Sequence, residues 1–479
     1  MCSSNGIRAQ YRYDRNDMQT EVLYGNGLRT SYTYDERSQL TGMESVLKDG
    51  RILHKASYSY DNVGNRITRD EQYTSLQMRH DTTCYTYDSM ERLTKESLNG
   101  AVTSYGYDLA GNRITKSKDG RTERYLYNNR NQLTELHREK DVVRYSYDPA
   151  GNLTEENYLT ADGASTKKLH YAYDVYNRNV SVTGDDFTQK NYYDAEGYRD
   201  SITEKDKVTN FVYHGGMLLQ ELDEDKNPAR HYVLGNEYIG LDHNYYLTDE
   251  QGSVRYVLDA AGNVQNDYRY DAFGQRIAGH ENIPNRLRYN AQIEDDLTGL
   301  YYLRARYYNT GIGRFTQEDV IYNDGLNLYA YCSSNPVMYE DPSGYSCDPK
   351  EGGNTSKTGS NSKKLSKNLA REGRPVGKGE AAAHMVASTG SQKQWKPAAN
   401  SRRLLKKYDI DINDAANGIP LGHPRPHNTT HNRKFHEMVN TRLYSVEKNM
   451  LKKGYGKKAI RSALRRELRN IGKEVETGL

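Results

Sequence analysis

The chain has 479 residues, 44 of them Tyr against 5 Phe and 1 Trp, with 35% hydrophobic residues and a formal net charge of +3; the mean hydropathy is −0.99. No run approaches the ~20 apolar residues that span a bilayer, and the opening Met1-Cys-Ser-Ser-Asn-Gly-Ile-Arg has no apolar core for a signal peptide, which together exclude a helical membrane protein. Aromatic residues at regular intervals argue against disorder, and Cys2, Cys84, Cys332 and Cys347 form no C-x-x-C pair, so neither a zinc ribbon nor a disulfide framework is indicated.

In chain order, the first element is a repeat. Tyr-x-Tyr-Asp recurs at Tyr11–Asp14, Tyr32–Asp35, Tyr58–Asp61, Tyr85–Asp88, Tyr105–Asp108, Tyr145–Asp148, Tyr171–Asp174 and Tyr268–Asp271, with looser copies at Tyr125–Asn128 and Tyr192–Asp194. The period is about 20 residues with insertions of about six, the signature of a repeat architecture. Two tyrosines spaced by two leave one face of a strand. The residues that follow, as in Asp61-Asn-Val-Gly64-Asn65 and Asp108-Leu-Ala-Gly111-Asn112, are turn formers. Each unit therefore predicts two strands and two turns, and stacked units predict a long antiparallel sheet that spirals or closes. Tyr in place of Leu suits a sheet with one wet face, the ring buried and the hydroxyl solvated. The chain enters this array almost at once, at Tyr11, and so reads as the C-terminal piece of a longer protein or as an orphan cassette.

These units resemble the Rhs/YD-repeat family, which includes teneurins and the C components of insecticidal toxin complexes. The resemblance implies a hollow β-shell in place of a flat or solenoidal scaffold. Residues 301–344 strengthen it, with Tyr301-Tyr-Leu-Arg-Ala-Arg-Tyr-Tyr308, Gly325-Leu-Asn-Leu-Tyr-Ala-Tyr331, Asn335-Pro336 and Asp341-Pro-Ser-Gly344. They look like the Rhs-associated core that closes the shell. Members of that family cut themselves just after an Asp-Pro-x-Gly-Leu element by an aspartyl-protease-like use of paired carboxylates. Carried over residue by residue, the pair is Asp319 and Asp341, with Arg314 nearby to modulate their pKa. Two carboxylates can divide the roles of general base and general acid. The sequence departs from the pattern at Asp319-Val320, where the family has Asp-Pro, and at Tyr345, where it has Leu. Asp before Pro also serves as a turn residue, so a structural role for each aspartate stands beside the catalytic one.

Composition changes after Gly344. Only three of the tyrosines lie beyond Tyr345, and residues 346–479 carry 28 Lys+Arg against 12 Asp+Glu, a formal +16, which leaves −13 on residues 1–345. Gly352-Gly-Asn-Thr-Ser-Lys-Thr-Gly-Ser-Asn-Ser-Lys-Lys364 reads as a flexible basic linker. Short helices are expected from about Lys364, a loop around Pro420–Pro426, and an amphipathic helix over Tyr455–Glu476 with Ile460, Leu464, Leu468 and Ile471 on one face and a basic opposite face. Such a charge implies a polyanionic partner, DNA or RNA above all; the bland alternative is a solvated charge run. Arg402, Arg403, Lys406 and Lys407 are candidate phosphate-positioning residues.

Five histidines lie in this segment. His427 and His431, four apart, would leave one face of a helix and could share a metal ion, with His423 as a candidate third ligand. Together with Ala381-Ala-Ala-His384-Met-Val-Ala387 and Asp411-Ile-Asn-Asp-Ala-Ala-Asn417-Gly-Ile-Pro-Leu421, this order of elements resembles the AHH nucleases of the HNH/endonuclease VII superfamily. The family's Ala-His-His is Ala-Ala-His here. In the ungapped register His384 takes the second histidine, the general base, and Ala383 replaces a metal ligand; in the other register Met385 occupies the base position. The resemblance implies hydrolysis of phosphodiesters with a divalent ion (Zn, Mg, Mn or Ni), His384 activating water and Asn417 orienting the base or pinning the local turn. It also implies a secreted or surface-delivered toxin acting in a target-cell cytoplasm, a cognate immunity protein, and a secretion-system or shell-closing partner. A decayed nuclease that only binds nucleic acid, and a cell-surface adhesive repeat protein with a polyanion-binding tail, are the alternatives.

The expected fold is a mainly β YD-repeat shell of spiralling antiparallel strands followed by a small, mostly α, ββα-metal-like nuclease domain. Its expected divisions are repeats over 1–300, Rhs-associated core over 301–345, linker over 346–375 and nuclease over 376–479.

Overall fold

The computed structural model describes residues 6–345, 347–349, 365, 369, 374, 380–386, 396–408, 410, 415–422 and 433–476, apart from 17, 75–77 and 321–326. Two compact units divide at Met1–Thr355 and Ser356–Leu479.

The first unit is an antiparallel meander of 26 strands, from Ala9–Tyr13 to Arg276–Glu281. Each strand pairs with the next in sequence, as Gln19–Tyr24 does with Arg29–Tyr34 and Arg113–Lys118 with Arg121–Tyr127. Two features of the repeat produce this regularity. The Asp that ends each Tyr-x-Tyr-Asp folds its carboxylate back on the turn. Oδ1 of Asp35 accepts the N–H groups of Arg37 and Gln39 at 2.8 and 2.9 Å, and Asp61, Asp88, Asp174 and Asp271 repeat the pattern. An Asx turn of this kind sets the hairpin without help from tertiary packing.

The second feature is a ladder of tyrosine hydroxyls. The register slips by one residue just before the second Tyr of the units, at Thr33/Tyr34, Thr86/Tyr87 and Leu126/Tyr127 among others. In several units the carbonyl of the residue opposite that Tyr is then capped by the second Tyr of the following unit. Leu40 faces Tyr34 and accepts from Tyr60 Oη at 2.7 Å. Leu93 faces Tyr87 and accepts from Tyr107 Oη at 2.7 Å. Arg113 faces Tyr107 and accepts from Tyr127 Oη at 2.8 Å. The hydroxyl is thus a structural donor to a bulge carbonyl, where a solvated tip was expected. The first Tyr of most units is buried outright, as at Tyr58, Tyr85, Tyr105 and Tyr125, while Tyr11 is half-buried and Tyr192 exposed; burial raises the pKa of the buried ones. Phe would fill the same space and leave the ladder carbonyls unmet.

The two ends of the meander meet. Tyr24 packs edge-on against Tyr245, Asn26 Nδ2 donates to Asp259 O at 3.3 Å, and buried Arg66 and Arg255 form ion pairs with Glu250 and Glu71. Residues 287–320 and 327–341 pack against the turn ends of the middle strands. Arg314 Nη1 donates to Asn112 Oδ1 at 3.1 Å, Leu153 N to Thr316 O at 2.9 Å, and Arg199, wholly buried, forms an ion pair with Asp295 at 2.7 Å. Cys84 and Cys347 are free thiols.

In the second unit, the strand Glu380–His384 pairs antiparallel with Gly418–Gly422, whose first residue follows the short 3-10 turn Ala415–Asn417. The expected loop at Pro420–Pro426 is therefore strand in its first part. Three helices complete the unit: α1 (Lys396–Lys407), α2 (Arg433–Lys452) and α3 (Lys457–Glu476). Met385, Val386, Leu404, Leu405, Val439, Leu443, Ile460, Leu464 and Leu468 form its core, which is the apolar stripe read from the sequence of α3. Arg442 on α2 binds Glu467 and Glu474 of α3 and locks the two helices together. Among the described residues no helix is long and apolar enough to cross a membrane.

Candidate functional sites

The first site surrounds Asp341. The turn Asp341-Pro-Ser-Gly344 lies against the segment Leu303–Arg306, and the approach is close enough that a Cβ on Gly344 would sit 2.5 Å from Leu303 O and 2.8 Å from Arg306 N. Gly344 also has φ +73°, so only glycine fits. Oδ1 of Asp341 accepts the N–H groups of Ser343, Gly344 and Tyr345 at 3.1, 2.8 and 3.2 Å, which draws the backbone into a tight loop around the carboxylate. Among the described residues Oδ2 has no hydrogen-bond partner; it lies 3.6 Å from Arg306 Nη2. The same Nη2 lies 2.8 Å from Asp319 Oδ2. Both aspartates are buried.

One guanidinium therefore bridges the two carboxylates, and its Nε donates to the carbonyl of Gly344. Burial is the largest influence on Asp341 and pushes its pKa up to about 6, against the pull of Arg306. A carboxyl whose pKa is raised beside one tied in an ion pair is an arrangement able to donate and accept a proton in turn. The bridging residue was missed in the sequence, where Arg314 was assigned this place. Arg314 instead reaches Asn112 and Asn131 O and stacks on Tyr127. Arg306 holds the position because Tyr307 and Tyr308 form a strand that pairs with Tyr301–Tyr302 and Arg314–Phe315, which turns residue 306 toward Asp319. Tyr345 is exposed.

The second site is the end of the strand that carries His384. His384 pairs with Gly418 and is half-buried, while Met385 and Val386, the next two residues, are in the core. Asn417, fully buried, holds this corner by both ends of its carboxamide: Oδ1 accepts Val386 N–H at 2.8 Å and Nδ2 donates to Val386 O at 3.1 Å. Its own carbonyl accepts Met385 N–H at 2.8 Å. The core position of Met385 is that of an apolar residue in the ungapped register, the one that puts His384 at the base position.

The candidate ligands His423, His427 and His431 lie outside the described residues, and among the described residues no cluster of three His, Cys, Asp or Glu is assembled. Of the four cations on or near α1, Arg403 and Lys406 are exposed and Arg402 is half-buried. Lys407 is committed: its Nζ lies 2.6 Å from Glu447 Oε1, which also accepts from Tyr408 Oη at 2.8 Å. Lys407 is exposed as well, so this ion pair ties α1 to α2 at the surface.

Residues 9–340 match the family model of the teneurin YD-shell. Residues 365–475 match that of a nuclease family of the HNH/ENDO VII superfamily with conserved AHH. The chain is similar to the tRNA nuclease WapA of Bacillus subtilis (strain 168), at 35% identity over 205 residues, which cover 39% of this chain and 9% of that protein. It is also similar to the double-stranded DNA deaminase toxin A of Burkholderia cenocepacia (strain H111), at 37% identity over 106 residues, covering 21% of this chain and 7% of that protein. Among solved structures, TcdB2-TccC3 without its hypervariable C-terminal region aligns with a TM-score of 0.48 at 20% identity, over 71% of this chain and 19% of that one. The chain thus spans less than a tenth of the length of these two relatives.

Proposed function

The chain belongs to the teneurin YD-shell family and carries an AHH nuclease module, and from that premise we propose that it is a polymorphic toxin whose repeat shell carries a C-terminal, metal-dependent endonuclease as cargo. The observation that carries this reading is the corner at His384. The carboxamide of Asn417 fixes Val386 while Met385 and Val386 anchor in the core, so the imidazole is held at the end of a rigid strand and remains half-exposed. Imidazole is the side chain suited to proton transfer at neutral pH, and His384 is the general base that takes the proton of the water attacking phosphorus. Asn417 positions it without touching substrate.

His427 and His431, with His423, are the residues that would hold the divalent ion. An all-imidazole donor set suits a borderline ion such as zinc. When bound, the ion supplies charge stabilisation at the scissile phosphate. Arg403 and Lys406 contribute phosphate contacts, and Arg402 lies beside them in the chain. The substrate is DNA or RNA of a target cell, and an immunity protein protects the producer.

Asp341 and Asp319 release this cargo by hydrolysing the bond between Gly344 and Tyr345: Asp319 takes a proton from the water that adds to the Gly344 carbonyl, and Asp341, its pKa raised, gives one to the departing Tyr345 nitrogen, while Arg306 keeps the two carboxylates together and polarises that carbonyl. The domain divisions follow: repeats to about 300, a closing segment to 345, a linker to 375 and the nuclease beyond.

The test is to incubate the full chain with plasmid DNA and with RNA, with and without a chelator, across Mg, Mn, Zn and Ni. Chelator-sensitive cleavage is expected. Binding without cleavage under every ion would favour a decayed nuclease.

A further inference from the structure

The cargo unit carries its positive charge unevenly, and α3 concentrates it. The helix holds seven Lys or Arg and three Glu. At about 100° per residue counted from Lys457, Arg461, Arg465, Lys458, Arg469, Lys473 and Arg466 fall in one sector from about 40° to 180°, whereas the buried Ile460, Leu464, Leu468, Ile471 and Val475 fall from about 300° to 20°. Glu467 and Glu474 fall near about 270°, on the far side of the apolar stripe. The contacts agree with this division. Arg442 of α2 binds both glutamates, at 2.6 Å from Glu467 and 3.0 Å from Glu474, and so withdraws them from the basic sector. Glu476 is the last residue of the helix. Lys458, Arg461, Arg466 and Lys473 are exposed, with Arg465 and Arg469 half-buried among them.

The place of this face matters as much as its charge. The apolar side of α3 packs on the turn Ala415–Asn417 and on the strand Gly418–Gly422. That strand pairs with the one ending at His384. The basic sector thus belongs to a helix seated on the turn of Asn417 and on the strand that pairs with the one carrying His384, whereas on α1 Lys407 ties that helix to Glu447 of α2.

We infer that the basic face of α3 is the docking surface for the phosphate backbone of the nucleic-acid substrate. The occupant is identified by charge complementarity. A row of guanidinium and ammonium groups at successive helical turns suits a polymer of evenly spaced single negative charges, and each contact releases counterions. The inference rests on the nuclease reading given above, and binding and cleavage are measured apart so that the two can fail separately.

The experiment uses the full chain. Affinity for a short DNA duplex and for a single-stranded RNA of equal length is measured by fluorescence anisotropy over a range of salt, in the His384→Ala background to prevent cleavage. The Lys458→Gln, Arg461→Gln, Arg466→Gln triple variant is expected to lower the magnitude of the log–log salt slope by about 2.7 on duplex and about 2 on single strand, at ~0.9 and ~0.7 per lost contact. The matched triple variant Lys448→Gln, Lys452→Gln, Lys453→Gln on and just beyond α2 is expected to change it by less than one. Replacement of the α3 arginines by Lys should restore the slope, which separates lost charge from lost folding. A slope unchanged in the α3 triple variant would overturn the docking surface even if the parent chain cleaves. Equal, equally salt-dependent binding to polyglutamate would also overturn it, assigning the face to an acidic protein surface.

Discussion

Replacing Asn417 by Ala isolates the corner that holds His384. The carboxamide makes two hydrogen bonds to Val386, at 2.8 and 3.1 Å, and is fully buried, so water does not replace it. Each bond contributes about 1 kcal/mol net, and a buried N–H or C=O left unmet costs about 1–3 kcal/mol, so the local penalty is roughly 3 kcal/mol. The backbone bond from Met385 N to Asn417 O survives the substitution, which confines the damage to one residue. At 1.4 kcal/mol per decade, opening of the Val386 amide should rise by about two orders of magnitude. Hydrogen exchange followed by mass spectrometry on the peptide covering 384–386 reads this directly. Cleavage should fall in parallel, through kcat more than KM, because the base is displaced while substrate contacts elsewhere persist. Asn417→Asp, which keeps the acceptor for Val386 N–H but loses the donor, should fall between. Cleavage that falls while exchange at Val386 is unchanged would refute the positioning role and place Asn417 on the substrate itself.

Three further outcomes are expected. Asp341→Asn and Arg306→Gln should each leave a single 54.9 kDa chain on a denaturing gel where the parent yields two fragments; cleavage that persists in Asp341→Asn would remove the aspartate from the reaction. Because burial raises Asp341 from its usual value near 3.8 to about 6, its contribution to stability is present below pH ~4 and is lost as pH rises through ~6. The urea stability of the parent relative to Asp341→Asn should therefore drop between those values, by about 3 kcal/mol at most; a flat difference would count against a raised pKa. Tyr127→Phe removes the ladder donor to Arg113 O and should destabilise the repeat unit by about 1–3 kcal/mol in the same assay, whereas no effect would mean that water reaches that carbonyl.

The meander was legible because its determinants are local. Tyr-x-Tyr has the strand period, and the following Asp closes its turn within four residues, as Asp35 does with Gln39. The hydroxyl ladder was not, since it depends on a one-residue slip that brings Tyr127 Oη to Arg113 O and no propensity encodes that slip. The same limit hid Arg306. Its partners Asp319 and Asp341 are 13 and 35 residues away, and Arg314 was closer to Asp319 in the chain. On the cargo side the amphipathic stripe of α3 was read from its spacing and is the core side observed. The commitment of Lys407 to Glu447, 40 residues on, was invisible until α1 and α2 were packed together.

The most direct measurement is the single-turnover rate of nucleic-acid cleavage by the full chain and by its His384→Ala variant, in the divalent ion that supports activity best. A loss of about 10²–10⁴-fold is expected from removing a general base, with the Val386 amide still protected because Asn417 is intact. Cleavage at the parental rate in His384→Ala, or none by the parent under any divalent ion, would contradict the assignment of this unit as a nuclease worked by His384.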